Sequence, residues 1–325
     1  MSPEPPSALA PAAPAVSVTG GRRPVVALLG ECMIELQGEA FGAMRQTFGG
    51  DTLNTAIYLA RCGAAAGVQV RYVTALGDDR FSTGMLQRWQ AEGVDTRWVR
   101  QLPGRLPGLY LIEVDGHGER HFSYWRDQAA ARALFDADRT PFEDELDQVD
   151  WLYCSGISLA ILPPAGRERL FGAMERLRRR GAHVAFDNNY RPRLWPDAAL
   201  ARTLFDRAYA LADLAFVTLD DEGARQGDAS LDCALALPCA ELVVKRGAAS
   251  TVVRAGGQPP REVPTEPVAR VVDTTAAGDS FAAGYLAQRL AGAAPAAAAA
   301  FGNRLAAQVI QHHNALVPRA AIADL

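Results

Sequence analysis

The chain of 325 residues is short of several things, and each shortage removes a class of function. It has five cysteines, an odd number, at positions 32, 62, 154, 233 and 239. None stands in a C-x-x-C pair or at a Cys/His spacing, which argues against a disulfide framework and a structural zinc site. They read as reduced thiols in a cytoplasmic protein. Positive charge is not in excess: the formal net charge is −4, so nothing draws the chain to nucleic acid or to an anionic membrane. An anionic ligand would have to be held by local arginines and backbone amides. No apolar run approaches the roughly 20 residues of a membrane-crossing helix. No G-x-G-x-x-G follows the first strand pattern, which argues against a nicotinamide oxidoreductase. His312 and His313 are too isolated for a metal site. The first twenty-odd residues, rich in Pro, Ala and Ser, lack both the basic start and the apolar centre of a signal peptide, so 1–23 reads as a disordered tail.

What is present is a hydrophobic content of 49%, enough for a sizeable core. The run 25–29 reads as a buried first strand and 70–76 as a second, with a helix at 85–92. From residue 150 the alternation is regular. Strand patterns at 151–154, 184–187, 214–218 and 242–245 are separated by helical patterns at 167–180 and 199–211, as in a parallel sheet with crossover helices. Ligands of such sheets sit at the carboxyl ends of the strands, and those ends carry Asp187 to Arg191, Thr218 to Glu222 and Lys245 to Gly247. The basic helix face of Arg176, Arg178, Arg179 and Arg180 reads as solvated surface. Two segments break the pattern. Residues 31–48 run into several glycines and leave the main sheet, and 108–114 with 120–124 form a hairpin whose turn is 115–118. Together they suggest a small β lid, with strands at about 31–48 and 106–126, closing over a site. Tyr110, Tyr124 and Arg126 project from it; aromatics there serve packing as readily as binding, but an Arg beside a Tyr suits a carboxylate. The edges of such a lid would be covered by the lid of a second copy, so a homodimer is expected.

The stretch V-V-D-T-T-A-A-G-D-S-F-A-A-G-Y-L, 271–286, organises the rest. Two apolar residues read as the end of a strand and a run of small residues follows. Asp279 then precedes a helix with Phe281, Ala282, Tyr285, Leu286 and Leu290 on one face. Ala276, Ala277 and Gly278 leave backbone N–H groups open to an anion, with the helix dipole behind them. A carboxylate in the same place would repel that anion, unless its task is to take a proton from a hydroxyl attacking a phosphate. The bland alternative is that Asp279 only caps the helix. Near the other end of the chain, Gly49, Gly50, Asp51 and Asn54 precede a second helix. There Asp51 and Asn54 suit sugar hydroxyls as well as a simple cap and turn.

Taken together, G-G-D-T-L-N at 49–54 and D-T-T-A-A-G-D at 273–279 resemble the two signatures of the ribokinase-like (PfkB) carbohydrate kinases, over nearly all of 25–318. Further segments are similar to the sugar-acid branch of that family: G-E-C-M-I-E-L from Gly30, R-L-P-G-L-Y from Arg105, Y-W-R from Tyr124, S-G-I-S-L-A from Ser155 and F-D-N-N-Y-R-P-R-L-W from Phe186. The resemblance implies a three-layer α/β/α fold with a mostly parallel central sheet and a small β-sheet lid, forming one kinase domain over 24–325. It implies transfer of the ATP γ-phosphoryl group to the 6-hydroxyl of 2-keto-3-deoxygluconate. In that reading Asp279 is the base and the amides of Ala276, Ala277 and Gly278 form an anion hole. Gly50, Asp51, Asn54, Tyr110, Tyr124, Arg126 and Arg191 surround the sugar acid, its carboxylate received by two arginines. ATP lies along Asn189, Lys245, Arg246, Gly247, Ser250, Ala277 and Gly278, with Asn303 near the nucleotide. Magnesium is implied as well, and the resemblance leaves open a monovalent cation near Asp273. Two departures matter. The family's Gly-Ala-Gly-Asp reads Ala276-Ala277-Gly278-Asp279 here, and its Asn-x-x-Glu element lacks the Asn, leaving Asp221 or Glu222 for the magnesium role. A kinase for a neutral sugar such as fructose or ribose, and a non-catalytic sugar or nucleotide sensor, are the competing readings.

Overall fold

The computed structural model describes residues 22–114 and 120–325. The tail expected over 1–23 lies outside them apart from its last two positions, as does the turn at 115–118. In chain order β1 (Val25–Leu29), β2 (Met33–Gly38) and β3 (Met44–Gly49) precede α1 (Asp51–Gly63). Then come β4 (Gln69–Leu76), α2 (Arg80–Ala91), β5 (Val94–Asp95), β6 (Val99–Gln101), β7 (Gly108–Val114) and β8 (Arg120–Trp125). After α3 (Pro141–Asp144) the units are β9 (Trp151–Ser155), α4 (Gly156–Ile161), α5 (Pro164–Arg179), β10 (His183–Asp187), α6 (Ala198–Leu211), β11 (Leu214–Thr218), α7 (Leu219–Gln226), α8 (Leu231–Leu235) and β12 (Glu241–Lys245). The hairpin β13 (Ser250–Ala255) and β14 (Arg261–Pro264) leads to α9 (Ala277–Leu290) and α10 (Pro295–Val309).

Among the described residues, ten strands form one sheet in the order β14-β13-β12-β11-β10-β9-β1-β4-β5, with β6 also on β4. From β12 through β1 to β4 and its two neighbours all pairings are parallel; only β12–β13 and β13–β14 are antiparallel. Strands covered on both faces are apolar at every position, and β1 shows why that is needed. Val25, Ala27 and Leu29 enter a core with Leu170, Phe171, Met174 and Phe205 of α5 and α6. Val26 and Leu28 enter another with Leu53 and Ile57 of α1, Phe281 and Tyr285 of α9, and Leu305 of α10. Helix α9 is buried almost all round and packs against both α1 and α10, which holds its first turn in place. A second sheet, β3-β2-β7-β8, stands apart; its pairings alternate antiparallel, parallel, antiparallel.

Two expectations are corrected. Val271 and Val272 end no strand: Val271 is 54% exposed, and the N–H groups of Val272 and Asp273 both donate to the Ile310 carbonyl at 2.8 and 3.2 Å. The loop is therefore held by the end of α10 and not by the sheet. Helix α2 begins five residues earlier than its apolar periodicity suggested, because the Asp79 carboxylate accepts from Phe81 N and Ser82 N at 2.8 and 3.1 Å and caps it.

Glu222, one of the two acids considered for magnesium, belongs to the core. It is 1% exposed, its carboxylate receives the Arg225 guanidinium at 2.5 Å, and the Tyr209 hydroxyl donates to it at 2.8 Å. Removing one partner of a pair this deep strands the other's charge, so Arg225→Ala should lower stability by about 3–5 kcal/mol. Denaturant unfolding checks this, and an unchanged midpoint would show that the pair contributes nothing.

Candidate active site

The site is built at the start of α9. The Asp273 carboxylate accepts from Thr275 N and Asn314 N at 2.8 and 3.1 Å and fixes the loop before the helix. Ala276 then takes φ +62°, a left-handed conformation that costs an L-residue about 1–2 kcal/mol, and turns the chain into the helix. The three amides expected to form an anion hole are not equivalent. The Ala277 N–H donates to Thr274 O at 3.2 Å and is turned back into the loop, a correction to its expected role. The open positions are Gly278 and Asp279, whose N–H groups have no acceptor within a helix that starts at Ala277. Lys245, at the end of β12, faces them: a Cβ on Gly278 would lie 3.3 Å from Nζ. The ammonium itself donates to Asp187 at 2.9 Å.

Asp279 is held by Asn54 of α1, whose Nδ2 donates to its carboxylate at 2.8 Å. Burial pushes the carboxyl up to about 7, with the like charges of Asp51 and Asp187 adding to the rise and Asn54 and Lys245 opposing it. A carboxylate with that affinity for protons is suited to general base work near neutral pH. Asp51 is engaged within the protein. Its carboxylate accepts from Ser155 Oγ at 2.6 Å and Asn189 Nδ2 at 2.7 Å, tying α1 to the ends of β9 and β10. Gly50 passes so close to the Glu31 carbonyl that a Cβ would come within 2.1 Å.

The structure sorts the remaining sequence-derived residues. Arg126 forms an ion pair with buried Glu31, and the Tyr110 hydroxyl donates to buried Glu35, with the Tyr124 ring stacked on Tyr110 at 5.9 Å. Arg191 pairs with Asp221 through both carboxylate oxygens, at 3.2 and 3.0 Å. Neither arginine stands unengaged, since acids of the protein already hold both. Asp221 lies within electrostatic reach of Asp187 and Lys245, and burial raises its carboxyl against the pull of Arg191. Gly247 makes the turn between β12 and β13 at φ +59°. Arg246 and Ser250 share Glu262. Asn303 is engaged within the protein: its amide accepts from Thr251 Oγ1 and donates to Pro264 O, both at 2.9 Å, so it fastens α10 to the β13–β14 hairpin. Sequence reasoning gave Glu31, Glu35 and Ser155 no role of their own and placed Asp187 only among the polar residues at the strand ends. The signal for the first two was two acids inside the otherwise apolar run G-E-C-M-I-E-L.

Any reaction in which Asp279 accepts a proton should therefore speed up as pH rises through about 7 and level off above it. Asp51→Asn, which removes a like charge, should move that limb to lower pH. A pH–rate profile checks both, and a limb unmoved by Asp51→Asn would contradict the electrostatic account.

With this geometry in hand, comparison with known proteins is specific. The sequence profile of the pfkB family carbohydrate kinases matches residues 24–321. A 2-dehydro-3-deoxygluconokinase of Escherichia coli K12 is 46% identical over 304 residues, covering 91% of this chain and 98% of that protein. Among solved structures, a PfkB protein from Polaromonas sp. JS666 superposes with a TM-score of 0.78 at 26% identity, over 94% of this chain and all of the other. Aminoimidazole riboside kinase from Salmonella enterica, complexed with aminoimidazole riboside and an ATP analogue, does so with 0.76 at 25% identity, over 91% and 96%. The chain thus belongs to the pfkB family of carbohydrate kinases.

Proposed function

We propose that the protein phosphorylates 2-dehydro-3-deoxy-D-gluconate at its 6-hydroxyl, with ATP as donor and ADP as the second product. The observation that carries the reading is Asp279, a carboxylate raised to about 7, in the first turn of α9 beside two open amides and the Lys245 ammonium. Asp279 takes the proton of the hydroxyl as that oxygen bonds to the γ-phosphorus and the bond to the β-phosphate oxygen breaks. The amides of Gly278 and Asp279, with Lys245, meet the negative charge on the transferred group. The similarity to the Escherichia coli enzyme supports the choice of substrate.

On the sugar side, three buried polar atoms have no hydrogen-bond partner among the described residues: Asn54 Oδ1, Glu31 Oε1 and Arg126 Nε. Two acceptors and a donor match hydroxyls and a carboxylate, with Gly50, Tyr110, Tyr124 and Arg191 completing the surround. The nucleotide would lie along Asn189, Lys245, Arg246, Gly247 and Ser250. Magnesium fits Asp221, because a phosphate-borne ion needs only one or two protein carboxylates beside its waters; bound there, it neutralises phosphate charge. A monovalent cation near the Asp273 loop and a cytoplasmic setting belong to the same reading.

Two tests follow. Asp279→Asn should lose about 10²–10⁴-fold in turnover with ligand binding nearly intact. A coupled ADP-release assay should rank the keto-deoxy acid above fructose and ribose; near-normal turnover of the variant, or a preference for fructose, would refute the respective claim. Binding without turnover in the wild type would favour a sensor.

The second sheet also supports a homodimer through this lid. It ends in edge strands β3 and β8, and it exposes Met44, Phe122 and Trp125, the last at 60%. Light scattering at micromolar concentration should give twice the chain mass, and a monomeric mass would refute this.

A further inference from the structure

Glu31 follows the last strand residue of β1 by two positions and is 3% exposed. Its two oxygens are used differently. Oε2 receives the Arg126 guanidinium, whereas Oε1 has no hydrogen-bond partner in the protein among the described residues. The free oxygen lies close to Gly108, the first residue of β7: a Cβ there would stand 3.1 Å from it and 2.9 Å from Met33 Cγ. Asp51 is close enough to push up both the Glu31 and the Asp279 carboxyls. The Glu31 carbonyl also lies against Gly50, directly before α1, the helix whose Asn54 holds Asp279, so Glu31 stands beside the same helix start as the base's partner. Arg132 also reaches it electrostatically and, with Arg126, opposes the upward push of burial.

A buried carboxylate oxygen calls for a donor. A sugar acid offers two kinds of group there. Its carboxylate would be repelled by Oε1, and its hydroxyls would be accepted by it.

We propose that Glu31 is a specificity-determining residue: Oε1 accepts a hydrogen bond from a secondary hydroxyl of the sugar acid, while Oε2 aims Arg126 so that its free Nε meets the acid end. The inference rests on the sugar-kinase reading of this site. Glu31 thus sorts the two ends of the substrate, turning the carboxylate toward Arg126 and the primary hydroxyl toward Asp279. The proposal concerns contact with the sugar alone, so the nucleotide side is unaffected by it.

The experiment compares wild type and Glu31→Gln on the keto-deoxy acid and on its 4-deoxy and 5-deoxy analogues. In the wild type, one analogue should lose about 10-fold or more in kcat/KM, the scale for removing a hydrogen bond to a charged group. In Glu31→Gln the parent acid should fall by a comparable factor, the same analogue should cost less than about 2-fold further, and KM for ATP should hold. Gly108→Ala, whose methyl would crowd Oε1 as well as the flexible Met33 side chain and leaves the carboxylate in place, is the second variant and should also erase the analogue's penalty. If both analogues cost either variant as much as they cost the wild type, Glu31 does not read a hydroxyl. A purely structural role would lower all substrates alike, ATP included, and would equally overturn the proposal. If the wild type prefers a neutral sugar, the substrate reading fails on its own, and the same comparison with that sugar and its deoxy forms still decides the role of Glu31.

Discussion

A negative charge set among other negative charges, with one ammonium and one amide to temper it, governs this site. Asp279 sits close to Asp51 and Asp187, opposed by Lys245 and Asn54, and burial tips the balance so that its carboxyl binds a proton up to about pH 7. The same arrangement works against stability. A carboxyl normally ionises near pH 4, so the unfolded chain gives up this proton earlier than the folded one. Between about pH 4 and 7 the folded state therefore loses stability as pH rises, and above 7 it keeps the full cost of the ionised acid. Such a cost is tolerated at functional sites because the surrounding structure over-determines the geometry.

What over-determines it begins with the packing of α9 along one strand. At the foot of β12, Glu241 receives the Tyr285 hydroxyl at 2.6 Å and the Arg289 guanidinium at 2.8 Å through both oxygens, all three residues being buried. At the head of the same strand Lys245 lies against Gly278. The second half of α9 is thus held to β12 by a buried, charge-assisted network, while its first turn lies against the other end of the strand. Asn54 and Asp51 do the same from α1, one reaching Asp279 and the other reaching β9 and β10. Against this rigid floor the second sheet contributes Tyr110, Tyr124 and Arg126.

The sequence disclosed the parts whose pattern is local. Strand and helix periods made the central parallel strands legible, because residues such as those of β1 must be apolar throughout when both faces are covered. Small residues ahead of Asp279 disclosed a helix start. Less legible was anything set by distant partners. Val271 and Val272 look like a strand end, but the backbone there is fastened through Val272 and Asp273 to Ile310, some forty residues away, and Ala277 looks like an open amide but is used by Thr274. Asn303 and Glu222 are polar residues in helices near the site, and only the packed structure reveals that both are engaged elsewhere, one on the β13–β14 hairpin and the other on Arg225. The β13–β14 hairpin is an antiparallel extension of the parallel sheet and falls outside the strand–helix alternation that made the other strands legible. Glu31 was hidden in the same way: its significance lies in an arginine that stands 95 positions further along the chain.

The fold itself holds the Asp279 carboxyl poised near neutrality. Carbon-13 NMR of aspartate-labelled protein, with Asp279→Asn to assign the resonance, would follow that carboxyl directly through a pH titration. The account predicts a midpoint near 7, whereas a midpoint near 4, that of an ordinary surface aspartate, would contradict it.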